Sequence, residues 1–129
     1  MSVKITRILL ASAARTADTA SVIQTSQDGV SVRVYLNITT ASGSGGVLPV
    51  IRGYDPASGL PFEMTAGGPG SMTQTGLYVY EMRPKGSLDP FGRIVERTNN
   101  WLPHKWDVLV KHCDATSYTY SVGAEEANG

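Results

Sequence analysis

The sequence contains little cysteine and little charge, and each shortage excludes something. Cys113 is the only cysteine among the 129 residues, so no intrachain disulfide can form, which is typical of proteins that fold in a reducing compartment. Charged residues make up 17% of the chain, and eleven acidic residues balance eleven basic ones. Nucleic-acid binders normally carry a basic excess that neutralises phosphates. We therefore predict that nucleic acid is not a partner.

Long apolar runs are also missing. No apolar stretch reaches the roughly 20 residues that cross a bilayer, and the apolar run at the start is too short for a signal peptide. From this pattern we expect a soluble protein with no membrane partner. A chain of 129 residues is long enough for one domain with one core.

The clearest pattern in the chain is a strict alternation over residues 29–39. Apolar side chains occupy every second position, at Val30, Val32, Val34, Leu36 and Ile38, and polar ones lie between them. Successive strand residues point to opposite faces of a sheet. The segment is therefore predicted to be a central strand of an antiparallel sheet, with one face on the core and one in water.

The remaining strands are shorter and are separated by turns rich in Gly, Pro, Asp and Ser. We predict them at 3–10, 22–23, 47–54, 60–65, 77–82, 106–112 and 117–122. Pro49 and Pro61 indicate edge or bulged positions because proline has no N–H to donate. Seven or eight short strands and no long helix predict a single all-β domain, an antiparallel β-sandwich of jelly-roll type.

Three segments fall outside this strand pattern. Residues 83–103, interrupted by Pro84, Gly86, Pro90 and Gly92, are predicted to form a long irregular loop, the kind of segment that often contacts a partner. Residues 1–20 are interpreted either as a first strand or as a partner-binding arm that could be removed without unfolding the domain. Residues 125–129 are predicted to be a frayed tail.

No set of residues indicates catalysis, a metal site or a cofactor, and we predict none of the three. The aromatic residues admit two interpretations, a sugar-stacking face or packing between strands, and packing is preferred. The residues concerned are Tyr78, Tyr80, Trp101, Trp106, Tyr118 and Tyr120.

The last third of the chain carries a family resemblance. Its pattern is Leu102-Pro103, then Trp106-x-Val108-x-Val110-x-His112, a short acidic turn, and Ser117-x-Thr119-Tyr120-Ser121-Val122-Gly123-Ala124. Segments 11–16, 32–39 and 53–59 follow the same order upstream. The chain resembles a group of small structural proteins of tailed bacteriophages and prophages.

This resemblance implies a capsid decoration, or cement, protein that is made in the bacterial cytoplasm and sits on the outer surface of the virion head. The expected partners are the major capsid protein and further copies of the chain, with a trimer preferred over a dimer. Two alternatives remain open: a tail or head-fibre component of the virion, and a carbohydrate-binding β-sandwich module. The resemblance brings no catalytic residue.

Five basic residues are predicted to contact the capsid because of their predicted placement in the N-terminal segment and in the long loop. They are Arg7, Arg15, Lys85, Arg93 and Arg97.

Overall fold

The computed structural model describes residues 2–27, 29–66, 70–84 and 94–128, and in this part of the chain it contains ten strands. Their bounds are β1 Ser2–Arg15, β2 Thr19–Ala20, β3 Gln24–Thr25, β4 Ser31–Ala41, β5 Val47–Tyr54, β6 Pro61–Glu63, β7 Gly76–Arg83, β8 Glu96–Asn99, β9 Lys105–His112 and β10 Tyr118–Asn128. They form two sheets that face each other across one hydrophobic core, so the predicted β-sandwich is confirmed.

The first sheet has the order β1-β10-β4-β7-β8, with β4 at its centre. The predicted central strand is therefore confirmed, and four of its five alternating aliphatic side chains are buried to 1% exposure or less. The fifth, Val30, precedes the strand and is 40% exposed.

The second sheet has the order β2-β9-β5-β6, and β3 also pairs with β9. Pro61 lies in the edge strand β6, as predicted. Pro49 lies inside β5, between Val47 and Ile51, whose N–H groups bond to Met72 O and Thr65 Oγ1 rather than to β9. The nitrogen of Pro49 points the same way as these two N–H groups, away from β9. The proline therefore removes no hydrogen bond from the β5–β9 ladder.

One strand pair departs from the antiparallel prediction. Strands β7 and β8 run parallel, with Tyr80 opposite Glu96 and Arg83 opposite Asn99. A parallel pair needs a crossover of roughly a dozen residues or more, and the connection 84–95 provides it. Part of the predicted long loop thus becomes an edge strand, and its residues 85–93 lie outside the described residues.

The core is filled by aromatic as well as aliphatic side chains. Trp106, Tyr118 and Tyr120 are each 0% exposed and Tyr80 is 2% exposed. Four of the six aromatic residues considered for a sugar-stacking face are therefore core residues. The preferred interpretation, packing between strands, is correct for these four.

Two predictions from the sequence are wrong. Val22 and Ile23 do not form a strand; they lie between β2 and β3 and are 78% and 49% exposed. Residues 125–128 are not frayed, because they continue β10, where Glu126 is 0% exposed and pairs with Val32 of β4.

The N-terminal segment is part of the sheet. Residues 2–15 form β1, which pairs along its length with β10, and Leu9 belongs to the core. Deleting residues 1–16 would uncover β10, so the expectation of an arm that can be removed without unfolding the domain is not met. Point substitutions are needed to test this segment.

Candidate partner-binding groove

An open groove of about 930 Å³ lies at one end of the sandwich, where β5 turns into β6 and β9 begins. This volume falls within the range of ligand pockets in proteins. It is lined by Ile23, Tyr54, Asp55, Pro56, Gly59, Phe62, Trp101, Pro103, His104 and Lys105. Most of these side chains are apolar or aromatic, and we take this groove as the candidate functional site.

The first wall is the β5–β6 hairpin. Asp55 orders the turn: its carboxylate accepts hydrogen bonds from the backbone N–H of Ala57 at 3.0 Å and from Ser58 Oγ at 2.6 Å. These bonds, with the Ser58 hydroxyl first, lower the pKa of Asp55. Gly59 follows with φ of 75°, a conformation that glycine adopts without strain. Phe62 then stands 53% exposed at the groove.

The second wall is the segment before β9. Leu102 anchors it, because its N–H donates to the carbonyl of Val30 at 2.9 Å and its side chain is 5% exposed. The neighbouring Trp101 is 66% exposed and lines the groove. A large apolar ring held in water is unusual in a chain that buries its other tryptophan completely.

Gly53 lets the two walls meet. A Cβ placed on this residue would lie 2.9 Å from Pro103 Cγ, 2.9 Å from Met64 Sδ and 3.4 Å from the ring of Phe62. Contacts under 3.0 Å require the neighbours to shift. The missing side chain of Gly53 therefore allows the hairpin and the segment before β9 to pack together.

An ion pair on the strands holds Tyr54 in place. Arg52 Nη2 lies 2.6 Å from Asp107 Oδ2, and the hydroxyl of Tyr54 donates to the same oxygen at 2.6 Å. Asp107 is 1% exposed. Burial, and then the bond to Asp107, raise the pKa of Tyr54, so the hydroxyl remains a donor. The Tyr54 ring is thereby fixed before any ligand arrives.

The predicted contact residue Arg7 lies inside the protein at the same end. Its Nη2 bonds to Glu126 Oε1 at 3.0 Å and to the carbonyl of Thr25 at 2.9 Å, and its Nη1 bonds to Gln24 Oε1. The Arg7 side chain is 14% exposed, and its guanidinium lies 5.7 Å from the centroid of the Trp106 ring. These contacts give Arg7 a structural role.

Arg15 and Arg97 are also engaged within the chain. Arg15 donates to the carbonyls of Ala11 and Tyr120 at 2.6 and 2.7 Å. Arg97 Nε lies 2.9 Å from Glu81 Oε1, and Arg33 and Arg83 bind the same carboxylate. The structure does not bring the three described arginines together. Lys85 and Arg93 lie outside the described residues.

Sequence reasoning did not find the groove. Of its lining residues, only Trp101 belongs to the aromatic set that the sequence offers as a sugar-stacking face, and four of the other five members of that set are buried. An available signal was the presence of large apolar side chains, Phe62 and Trp101, beside the turn residues of segments 55–61 and 99–103. Nothing in the sequence shows that these two segments meet.

Comparisons with protein-family models, with curated proteins and with solved structures found no match. In the described residues no three His, Cys, Asp or Glu side chains are grouped so that they could hold a metal ion. The described part of the chain contains no helix long and apolar enough to cross a membrane.

Proposed function

We propose that this chain is a structural protein of a bacteriophage virion, a capsid decoration protein that binds the major capsid protein through the groove. Two observations support the proposal: the sequence resemblance to small virion proteins, and a β-sandwich that exposes a concave apolar surface at one end. The protein acts by binding and brings no reaction of its own.

The exposure of Trp101 beside Phe62 is the observation that carries the proposal. Large exposed apolar patches mark interaction sites, and tryptophan and tyrosine are enriched among the residues that dominate binding energy. Here Trp101 is 66% exposed and Phe62 53% exposed, while Tyr54 is fixed by its bond to Asp107. A partner that covers these rings removes their surface from water.

Repetition over a capsid strengthens such a contact. A head offers many copies of the same site, and a homo-oligomer of the chain, which we propose with a trimer preferred, engages several of them at once. Linked sites raise the overall affinity by effective concentration, without new contacts. One groove of modest size is therefore sufficient for a stable coat.

Co-sedimentation with undecorated heads tests the proposal. The heads are assembled from the major capsid protein of the same genome and mixed with the wild-type chain, with Trp101→Ala, or with Leu77→Ala as a control. Leu77 is 61% exposed on β7, outside the groove. We expect the wild type and Leu77→Ala to bind and Trp101→Ala to fail. Failure of the wild type to bind heads would refute the decoration role.

The aromatic groove also supports a second candidate, a carbohydrate-binding module, alone or within a tail or head fibre. Sugar rings present apolar C–H faces that can stack on exposed aromatic rings, and Trp101 offers such a surface. Because Trp106 is 0% exposed, a fluorescence change on adding an oligosaccharide would report on Trp101. Binding of the sugar, or of the chain to tails rather than heads, would favour this candidate.

A further inference from the structure

Three polar side chains of the groove, those of Tyr54, Asp55 and Lys105, form hydrogen bonds within the protein, whereas no described residue bonds to the ring of His104. The Tyr54 hydroxyl donates to Asp107 at 2.6 Å, and both oxygens of the Asp55 carboxylate accept bonds from its own turn. Lys105 Nζ donates to Thr25 Oγ1 at 3.2 Å. The groups left free are mainly donors, namely the indole N–H of Trp101, the remaining N–H groups of Lys105 and the ring of His104, so the groove suits a ligand that offers acceptors and few donors.

This property discriminates between ligand classes. A sugar carries several hydroxyls, and each one left unpaired in a contact loses the hydrogen bonds it made with water. An extended proline-containing peptide has few donors, because proline has no N–H, and its carbonyls, which have no internal partners in the polyproline II conformation, are acceptors only. Grooves lined by aromatic rings recognise such segments in other proteins.

Trp101 supplies the donor that a proline-containing segment needs. The indole N–H is a donor only, and among the described residues it has no hydrogen-bond partner. The ring is 66% exposed, so its N–H can reach a peptide carbonyl while its face packs against a proline ring. This combination is available beside Phe62 and Tyr54.

The charge of the groove indicates what flanks the prolines. Asp55 is exposed, lines the groove, and has no ion-pair partner within the described part of the chain. Its two internal hydrogen bonds stabilise the carboxylate, so a negative charge is held at the rim. Lys105 also lines the groove and adds a positive charge at a different position. Complementary charge steers a partner and fixes its register, and beside Asp55 the complement is a lysine or an arginine.

We infer that the groove binds an extended, proline-containing segment of its partner in the polyproline II conformation, with a basic residue beside Asp55. The inference rests on the proposed function, since it names the kind of capsid segment that the groove takes. It concerns the isolated protein, however, and can be tested without heads.

An array of randomised twelve-residue peptides, probed with the purified chain, tests the inference. Bound sequences should be enriched in proline and in lysine or arginine. For the strongest peptide, Trp101→Ala should weaken binding by about tenfold or more, the size of effect seen at dominant contact residues. Asp55→Asn removes the charge and keeps one of the two acceptor oxygens that the turn uses, and should weaken binding only of peptides with a basic residue. Leu77→Ala should have no effect.

Three results would overturn the inference: no bound peptide, bound peptides without enrichment in proline, or displacement of the bound peptide by cellohexaose or chitohexaose. The peptide assay and the head-binding assay can fail independently of each other. Peptide binding without head binding would leave the groove assignment intact and refute the virion role. Head binding without peptide binding would leave the virion role intact and refute the binding of a proline-containing segment in the groove.

Discussion

The two ends of the sandwich satisfy their polar groups in different ways. At the groove end, three buried carboxylates, Glu81, Asp107 and Glu126, each bind at least one arginine side chain. At the opposite end, which we call the turn end, Asp114 accepts hydrogen bonds from the N–H of Gly45 at 2.6 Å and from the hydroxyl of Tyr118 at 3.1 Å. Arginine side chains pair the carboxylates at one end, and uncharged N–H and O–H donors bond to a carboxylate at the other.

This difference indicates which end of the protein can bind a partner without rearranging. An arginine–carboxylate pair joins two opposite charges and adds the fixed fork of the guanidinium, so it restricts the geometry of both side chains. Such pairs link β1 to β10, β4 to β7 and β5 to β9, and of these strands β5 and β9 contribute residues to the groove. A site on this scaffold is held in its binding geometry, and pre-organisation lowers the entropic cost of binding. The predictions below test this contrast.

Breaking a buried pair at the groove end should have the largest effect. Arg7→Ala leaves the side chain of Glu126, which is 0% exposed, without its arginine partner, and removing one partner of a buried pair typically costs about 3–5 kcal/mol. We expect a loss of this order in the free energy of unfolding, measured by urea denaturation. Lys111→Ala is the control, because Lys111 and Glu63 form an exposed pair with 35% and 46% side-chain exposure, worth about 0–1 kcal/mol. Equal losses of unfolding free energy for Arg7→Ala and Lys111→Ala would show that the buried pair at the groove end adds no more stability than an exposed one.

At the turn end, the glycine backbone should be the sensitive feature. Gly46 has φ of 81°, and a Cβ there would lie 2.7 Å from the carbonyl oxygen of Met72. Gly59 has φ of 75° but nothing within 4 Å of the same position. Gly59→Ala should cost about 1–2 kcal/mol of backbone strain, and Gly46→Ala about 1–3 kcal/mol more from crowding. Thermal and urea unfolding of both variants measure this difference, and a smaller loss for Gly46→Ala would refute the crowding.

The turn end should also weaken in mild acid. The His112 ring lies 5.8 Å from the Tyr118 ring and 5.7 Å from the Tyr120 ring. Burial lowers the pKa of His112 below its usual 6.5, against the opposing effect of Asp18 and Asp114. The unfolded chain therefore takes up a proton first as the pH falls.

Stability from His112 is fully present above pH 6.5 and is lost as the pH falls from there through the lower folded pKa. We expect the free energy of unfolding to decline between about pH 7 and pH 5, the range in which a histidine titrates. His112→Gln should flatten this decline. A wild-type protein that becomes more stable over the same interval would show that protonated His112 is favoured in the fold.

The smallest effect on stability should come from the proposed contact itself. Trp101 is 66% exposed, and substitutions at such surface positions usually stay within about 0.5 kcal/mol. Trp101→Ala should therefore unfold at nearly the same urea concentration as the wild type while losing its binding to heads. A stability loss comparable to that of Arg7→Ala would mean that Trp101 supports the fold.

The fold could be predicted from the sequence because its signals are local. The alternation over 29–39 and the turn residues between strands identify β4, β5, β7 and β9 with little error in their bounds. The edges were less predictable. Residues 11–15 and 125–128 pair only with strands far away in sequence, so nothing nearby indicates that they form strands.

The ion pairs and the groove could not be predicted from the sequence for the same reason, because they join segments that are far apart in the chain. Glu126 appears among five polar or small residues at the end of the chain, yet it is buried because Arg7, far away in sequence, reaches it. Arg7 was therefore predicted at a partner surface and lies in the interior. Trp101 and Phe62 become a site only when Gly53 lets their segments meet.

Hydroxyl-radical footprinting of the chain, free and bound to undecorated heads, tests the central claim most directly. The claim is that the groove end faces the capsid. We expect Trp101 and Phe62 to lose labelling on binding, while Ile8 and Leu77, 85% and 61% exposed on the outer side of the other sheet, keep theirs. Trp106, at 0% exposure, is an internal control for unfolding. Protection of Ile8 and Leu77 with continued labelling of Trp101 would contradict the account.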